Sequence, residues 1–181
     1  MVRIYKYAAL LLLASSCAYP FEFMYDVYGT ENGGLRSKRK YKEYEVLRDT
    51  LPPYIQERVA YTVNYCKNDN TDEYYPRDEE SGYIVFLNGS RAIGFVAKGN
   101  TATPGDFSVA VGDIAYYKNS KNETVLYRYA AANGGQFEDW LITPRTDSTF
   151  ILRTRGSGYK YFYVKSNQVP EEWLKDIEVD W

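Results

Sequence analysis

The sequence predicts an all-β fold, an antiparallel barrel or sandwich with a short helical N-terminal lead-in. Two observations carry that expectation. Aromatic residues make up 17% of the 181-residue chain and include 20 tyrosines, side chains that fit the pleated, half-buried surface of a sheet. From Gly82 onward, short strand-like runs recur about every ten positions, separated by Asn, Gly, Ser, Pro and Asp. Connections that short leave no room for crossover helices, so the strands must be antiparallel.

The chain opens on "MVRIYKYAALLLLASSCAYP", with Arg3 and Lys6 before an apolar run from Ala8 to Ala14 and then small residues. That is the pattern of a secretory signal peptide, expected over residues 1–18 with cleavage after Ala18. The apolar run is shorter than the about 20 residues a membrane-spanning helix needs. "LASSC" also resembles a bacterial lipobox, so the alternative to secretion is a surface lipoprotein anchored at Cys17. Residues 19–39 show no sustained period and contain the turn sequence "TENGG", as a pro-segment or flexible arm does.

Residues 40–68 read as the helical lead-in. Tyr44, Leu47 and Leu51 share a helical face, Pro52-Pro53 interrupts it, and Ile55, Val59, Val63 and Cys66 recur at helical spacing after Pro53. The same stretch alternates as Val59, Tyr61, Val63 and Tyr65, which is the strand pattern. "CKNDNTDEYYPRDEES" then reads as a polar, acidic loop.

The β domain is expected over residues 82–181. "YIVFL" turns at Asn88-Gly89, a type I′ hairpin signal, into "RAIGFVA". "FSVAVGDIAYY" follows, with Phe107, Val109 and Val111 alternating, and then "TVLYRYA", "DWLIT", "TFILRTR" and "YKYFYVK". The final "PEEWLKDIEVDW" suits one short helix that turns Trp173, Leu174 and Ile177 toward the barrel.

Composition narrows the chemistry. The net charge of −2 and the confinement of basic excess to one short run argue against a nucleic-acid partner. Histidine is absent, which removes Ser-His-Asp and Cys-His catalysis and any imidazole metal site. The carboxylate groups Asp78-Glu79-Glu80 and Glu138-Asp139 are sequence neighbours, not residues set across a cleft as glycoside hydrolysis requires. No enzyme, cofactor or metal is expected. With Cys17 removed, Cys66 stands alone, and it reads as a buried small hydrophobe or, alternatively, as the link of a disulfide dimer.

Three short motifs concern processing. Arg36-Ser37-Lys38-Arg39 resembles the Arg-x-Lys-Arg recognition pattern of furin-like proprotein convertases, with cleavage expected after Arg39. Asn88-Gly89-Ser90 and Asn122-Glu123-Thr124 fit the N-glycosylation pattern and fall in expected turns.

The stretch "VLYRYAAANGGQFEDWLITPRTDSTFILRTRGSGYKYFYV", Val125 to Val164, resembles one unit of a β-trefoil. It orders a strand, a polar loop, a Gln-to-Trp cluster, an I-x-P-x-x-D turn, then F-I-L-R and SG-x-K-Y. It is similar to ricin-B-type lectin units and to those of secreted arthropod trefoil proteins related to the insect haemolymph 30-kDa group, although Gln136 and Trp140 are separated by "FED" where lectins have Gln-x-Trp. The resemblance implies a trefoil-like antiparallel barrel that holds sugar at Asp147, Tyr159, Tyr161 and Tyr163. The rival fold is a lipocalin-like up-and-down barrel. The function expected is a secreted, non-enzymatic binding protein for carbohydrate or another extracellular ligand. The alternatives are a processed signalling or immune factor that binds a protein partner, a lipocalin-like carrier of a small molecule, and the lipoprotein.

Overall fold

The computed structural model describes residues 27–29, 35–37, 44, 47–77, 81–99, 101–109, 112–120, 123–130, 136–146 and 148–178, with backbone alone at 27–29, 35–37, 129, 130 and 136. The signal segment, Cys17, Lys38, Arg39, Asn122 and Asp147 lie outside the described residues. In chain order the strands are β1 (Val27–Gly29), β2 (Leu35–Ser37), β3 (Ala60–Asn68), β4 (Glu73–Pro76), β5 (Gly82–Leu87), β6 (Arg91–Val96), β7 (Asp113–Asn119), β8 (Thr124–Ala130), β9 (Gln136–Thr146), β10 (Thr149–Thr154) and β11 (Tyr159–Lys165).

Strands β3 and β5 to β11 each pair with the next in sequence, and β11 closes on β3, so eight antiparallel strands form a closed barrel. This connectivity is that of an up-and-down barrel. The threefold repeat of a trefoil is not visible among the described residues. The Gln136-to-Pro144 part of the resembling stretch lies within one strand, β9, with its register shifted at Arg145.

The strands alternate in direction, so each end of the barrel gathers one set of connections. At one end the hairpin turns after β5, β7 and β9 meet the segment 47–59, which plugs the barrel. Leu51, Tyr54, Ile55 and Val59 pack on Tyr61, Phe86, Tyr117 and Phe150 inside it. Asp49 fixes the plug from three sides. Its carboxylate accepts the Asn119 N–H at 2.6 Å, its carbonyl accepts the Tyr117 hydroxyl at 3.1 Å, and its N–H donates to Ser90 Oγ at 2.7 Å. At the other end the described residues leave an opening.

The outer face of β5 and β6 carries a second core. Tyr83, Val85, Ile93 and Phe95 are covered by a 3-10 turn at Pro104–Phe107 and by the C-terminal segment. The expected packing of Trp173, Leu174 and Ile177 on the barrel holds, through a single 3-10 turn, Glu171–Leu174. The Arg58 guanidinium ties that segment down by donating to the carbonyls of Leu174, Lys175 and Ile177 at 3.1, 2.9 and 2.8 Å.

Several expectations are corrected. Of the two helices expected within 40–68, the one after Pro53 gives way to strand β3 from Ala60 to Asn68, and the one over 40–51 lies largely outside the described residues, with 47–51 not helical. The β domain therefore begins at Ala60 rather than Gly82, and the acidic loop contains β4. Phe107 belongs to the 3-10 turn, not to a strand, because its ring is taken up by Tyr83, Phe95 and Trp173 outside the barrel. The hairpin at Asn88 has three loop residues, since Leu87 pairs with Arg91, and positive φ falls on Gly89 (74°) and Ser90 (66°) instead of Asn88 and Gly89. The arm holds a small hairpin, β1 on β2, in which Arg36 pairs with Tyr28.

Candidate ligand-binding site

The open end of the barrel encloses a cavity of about 130 Å³. It exists because small residues on one wall face large ones on the other. Gly82, Gly94 and Ala115 stand on β5, β6 and β7, while Trp140, Leu152 and Tyr163 stand on β9, β10 and β11, with Ile84 and Leu126 between them. A glycine inside a strand weakens the strand and marks a place where something else approaches the backbone. At Gly94 an added Cβ would meet nothing closer than 3.7 Å, so the position is open rather than sterically forbidden.

The cavity floor is aromatic. Tyr163 stacks on Phe150 with ring centroids 5.2 Å apart and planes 6° apart, and Phe150 in turn meets Tyr61 at 5.1 Å and Phe86 at 5.8 Å. Burial pushes the Tyr163 hydroxyl up to about 12, against smaller opposing effects of Arg128 and Arg77. The hydroxyl makes no hydrogen bond to the described residues. Tyr161, one turn of the pleat nearer the mouth, packs on Trp140 at 5.8 Å and is likewise raised by burial first.

The rim is charged. Arg128 Nη2 lies 3.1 Å from Asp113 Oδ2, with both side chains about half exposed (49% and 51%), and such a pair stabilises by only about 0–1 kcal/mol. Glu138 accepts the Trp140 Nε1–H at 3.3 Å. Arg77, which is not among the lining residues, donates toward Ser81 Oγ at 3.5 Å and has no carboxylate partner among the described residues. Cys66 pairs with Tyr161 across β3 and β11, is buried, and has its thiol raised chiefly by that burial.

Of the residues expected to hold a ligand, the structure brings Tyr161 and Tyr163 together inside the barrel. Tyr159 is on the same strand but exposed, near Tyr75. Asp147 lies outside the described residues. Asn88 is exposed in its turn, where its amide donates to the Glu57 carboxylate. Trp140, Arg128, Asp113 and Arg77 were not expected. The signal that could have found the site is the pair of small residues at inward positions, Gly94 in "RAIGFVA" and Ala115 in "DIAYY". Among the described residues, no group of His, Cys, Asp or Glu could hold a metal ion, and no helix is long and apolar enough to cross a membrane. Comparison with protein-family models, with curated proteins and with solved structures finds no match.

Proposed function

We propose that the protein is a secreted, non-enzymatic binding protein that holds a small, largely apolar ligand in the open end of its barrel. The observation that supports this most is the cavity itself, apolar in its walls and charged at its rim, in a barrel whose other end is tightly packed. Ligand sites are concave and mostly apolar, with a few polar groups that fix orientation. A dry cavity of roughly 150 Å³ lined by aliphatic and aromatic side chains takes up benzene, so the about 130 Å³ here suits a single ring.

The test is ligand-observed ¹⁹F NMR with fluorobenzene. The protein should broaden and shift the fluorine signal, and Ala115→Leu, which extends a side chain into the cavity, should abolish the effect while circular dichroism stays unchanged. Equal binding by the folded variant refutes this reading.

A second reading keeps carbohydrate as the ligand and places it outside the barrel. Tyr74, Tyr75 and Tyr159 are exposed at 59%, 44% and 41%, and exposed rings can stack on sugars. Glycan binding lost in Tyr75→Ala but kept in Ala115→Leu would favour it over the cavity.

A further inference from the structure

Away from the cavity, the acidic segment after β3 carries a chemistry of its own. In sequence, Asp72-Glu73-Tyr74-Tyr75-Pro76-Arg77-Asp78-Glu79-Glu80 sets two tyrosines among five carboxylates and one arginine. Asp78, Glu79 and Glu80 lie outside the described residues.

Both tyrosines stand on a sheet edge. β4 pairs with β3 alone, and all four of its residues are exposed. Pro76 has no N–H to offer there and acidic residues flank the strand, two features that discourage pairing with another strand. The edge is accessible to an enzyme without inviting self-association.

The exposed phenols are not equivalent. Tyr75 donates its hydroxyl to Glu73 Oε2 at 2.5 Å. Replacing that proton with an anionic group would destroy the bond and set two negative charges together. Tyr159, exposed on β11, has only basic residues, Arg155 and Lys160, among the five positions on either side of it. Tyr74 is the most exposed of the three, at 59%. Beside it stands the Lys67 ammonium, 5.1 Å from the ring centroid and 2.5 Å from Asp72 Oδ1. An anion added to Tyr74 therefore has a cation within reach, already held in place by the fold.

An accessible phenol with acidic flanks suits transfer of a sulfo group. An enzyme that holds a phosphosulfate must line its cleft with cationic side chains, and the same side chains draw in an acidic segment.

We infer that Tyr74 is a site of tyrosine O-sulfation. The phenol oxygen attacks the sulfur of adenosine 3′-phosphate 5′-phosphosulfate, and a new O–S bond forms. The bond from sulfur to the phosphate oxygen breaks, adenosine 3′,5′-bisphosphate leaves with the electron pair, and the phenol proton passes to a base of the transferase. The product sets a fixed negative charge on β4 beside Lys67. This rests on the secretory part of the proposed function and is independent of the cavity.

The test has two arms. In the first, the purified, folded full chain is incubated with a tyrosylprotein sulfotransferase and the same donor, and intact mass counts the groups added. One sulfo group should be added. Tyr74→Phe should abolish the transfer, and Tyr75→Phe should retain it. No transfer to the folded wild type, or transfer that survives Tyr74→Phe, overturns the site. In the second arm, the chain is expressed with its own N-terminus in secretory cells fed radiosulfate, and N-glycans are removed before counting. The secreted wild type should carry label that Tyr74→Phe lacks. A secreted chain without label overturns the inference while secretion stands. A chain that never reaches the medium overturns the secretory reading, and the role of the site in the cell falls with it.

Discussion

Replacing Tyr163 by phenylalanine separates what the barrel needs from what its ligand needs. In the free protein the hydroxyl has no acceptor among the described residues, so its removal breaks no hydrogen bond there. The ring keeps its stack on Phe150. At neutral pH the variant should equal the wild type to within about 0.5 kcal/mol, since the hydroxyl faces the cavity and no hydrogen bond to a described residue is lost.

The larger effect appears at alkaline pH. A tyrosine is neutral while protonated, and burial raises this one from 10.0 to about 12 in the folded state. Its contribution is intact below the unfolded value. As the pH rises past 10, the unfolded chain releases the proton and the folded chain does not, so stability falls until the pH passes about 12. Each unit is worth about 1.36 kcal/mol, which gives a loss of roughly 1.4 kcal/mol at pH 11 and a limit near 2.7 kcal/mol. Phenylalanine cannot titrate. Tyr54, Tyr61 and Tyr117 are also raised by burial, but they are present in both proteins and cancel in the difference. The assay is urea unfolding of both chains at pH 7 and pH 11. With a urea slope of about 1–3 kcal/mol per M, the midpoint difference should widen by roughly 0.5–1.4 M in favour of the variant. A difference that stays constant between the two pH values would falsify the placement of Tyr163 against the apolar floor of the cavity.

Two further outcomes follow from the rest of the chain. Arg58→Ala removes the donor shared by the carbonyls of Leu174, Lys175 and Ile177, and it should cost about 2–3 kcal/mol because the bonds involve a charged group. Amide exchange should quicken in residues 171–178 far more than in β9, and uniform acceleration across the barrel would count against a local staple. For processing, the intact mass and N-terminal sequence of the protein secreted with a convertase present should show a start at Lys40, with Arg39→Ala retaining the arm, whereas an unchanged start at Tyr19 rules the cut out.

The strands from β5 to β11 were legible because their hydrophobic alternation coincides with their turn residues. The first barrel strand was not, and the cause is local. Val63 pairs with Tyr163 and Tyr65 with Phe162, which leaves Asn64 as an extra residue in β3. A bulge of this kind shifts the alternation by one position. The inward residues therefore run Tyr61, Val63, Cys66, and the last interval of three imitates a helical repeat. "FSVAV" misled in the opposite direction. Of its described apolar residues, Phe107 and Val109 serve the outer core, where Phe107 covers Tyr83 and Phe95, and sequence alternation does not say which side of a barrel a residue serves. The ligand site was half legible: Tyr161 and Tyr163 stood out as aromatics, but the residues that make room for a ligand are a glycine and an alanine.

The same bulge connects fold to site. Had β3 continued its alternation, Tyr65 would point inward opposite Tyr161 and Cys66 would point out. A tyrosine at that height would project into the mouth beside Tyr161 and Trp140, where the cavity now opens. The bulge instead sends Tyr65 to the outer face, where it stacks on Phe162 at 4.1 Å with planes 16° apart and its hydroxyl accepts from Arg145 at 2.7 Å. The smaller Cys66 takes the inward place. The backbone carbonyl of the extra residue, Asn64, is satisfied by the Arg77 N–H at 3.1 Å. One inserted residue thus removes a ring from the barrel mouth and keeps that ring packed elsewhere.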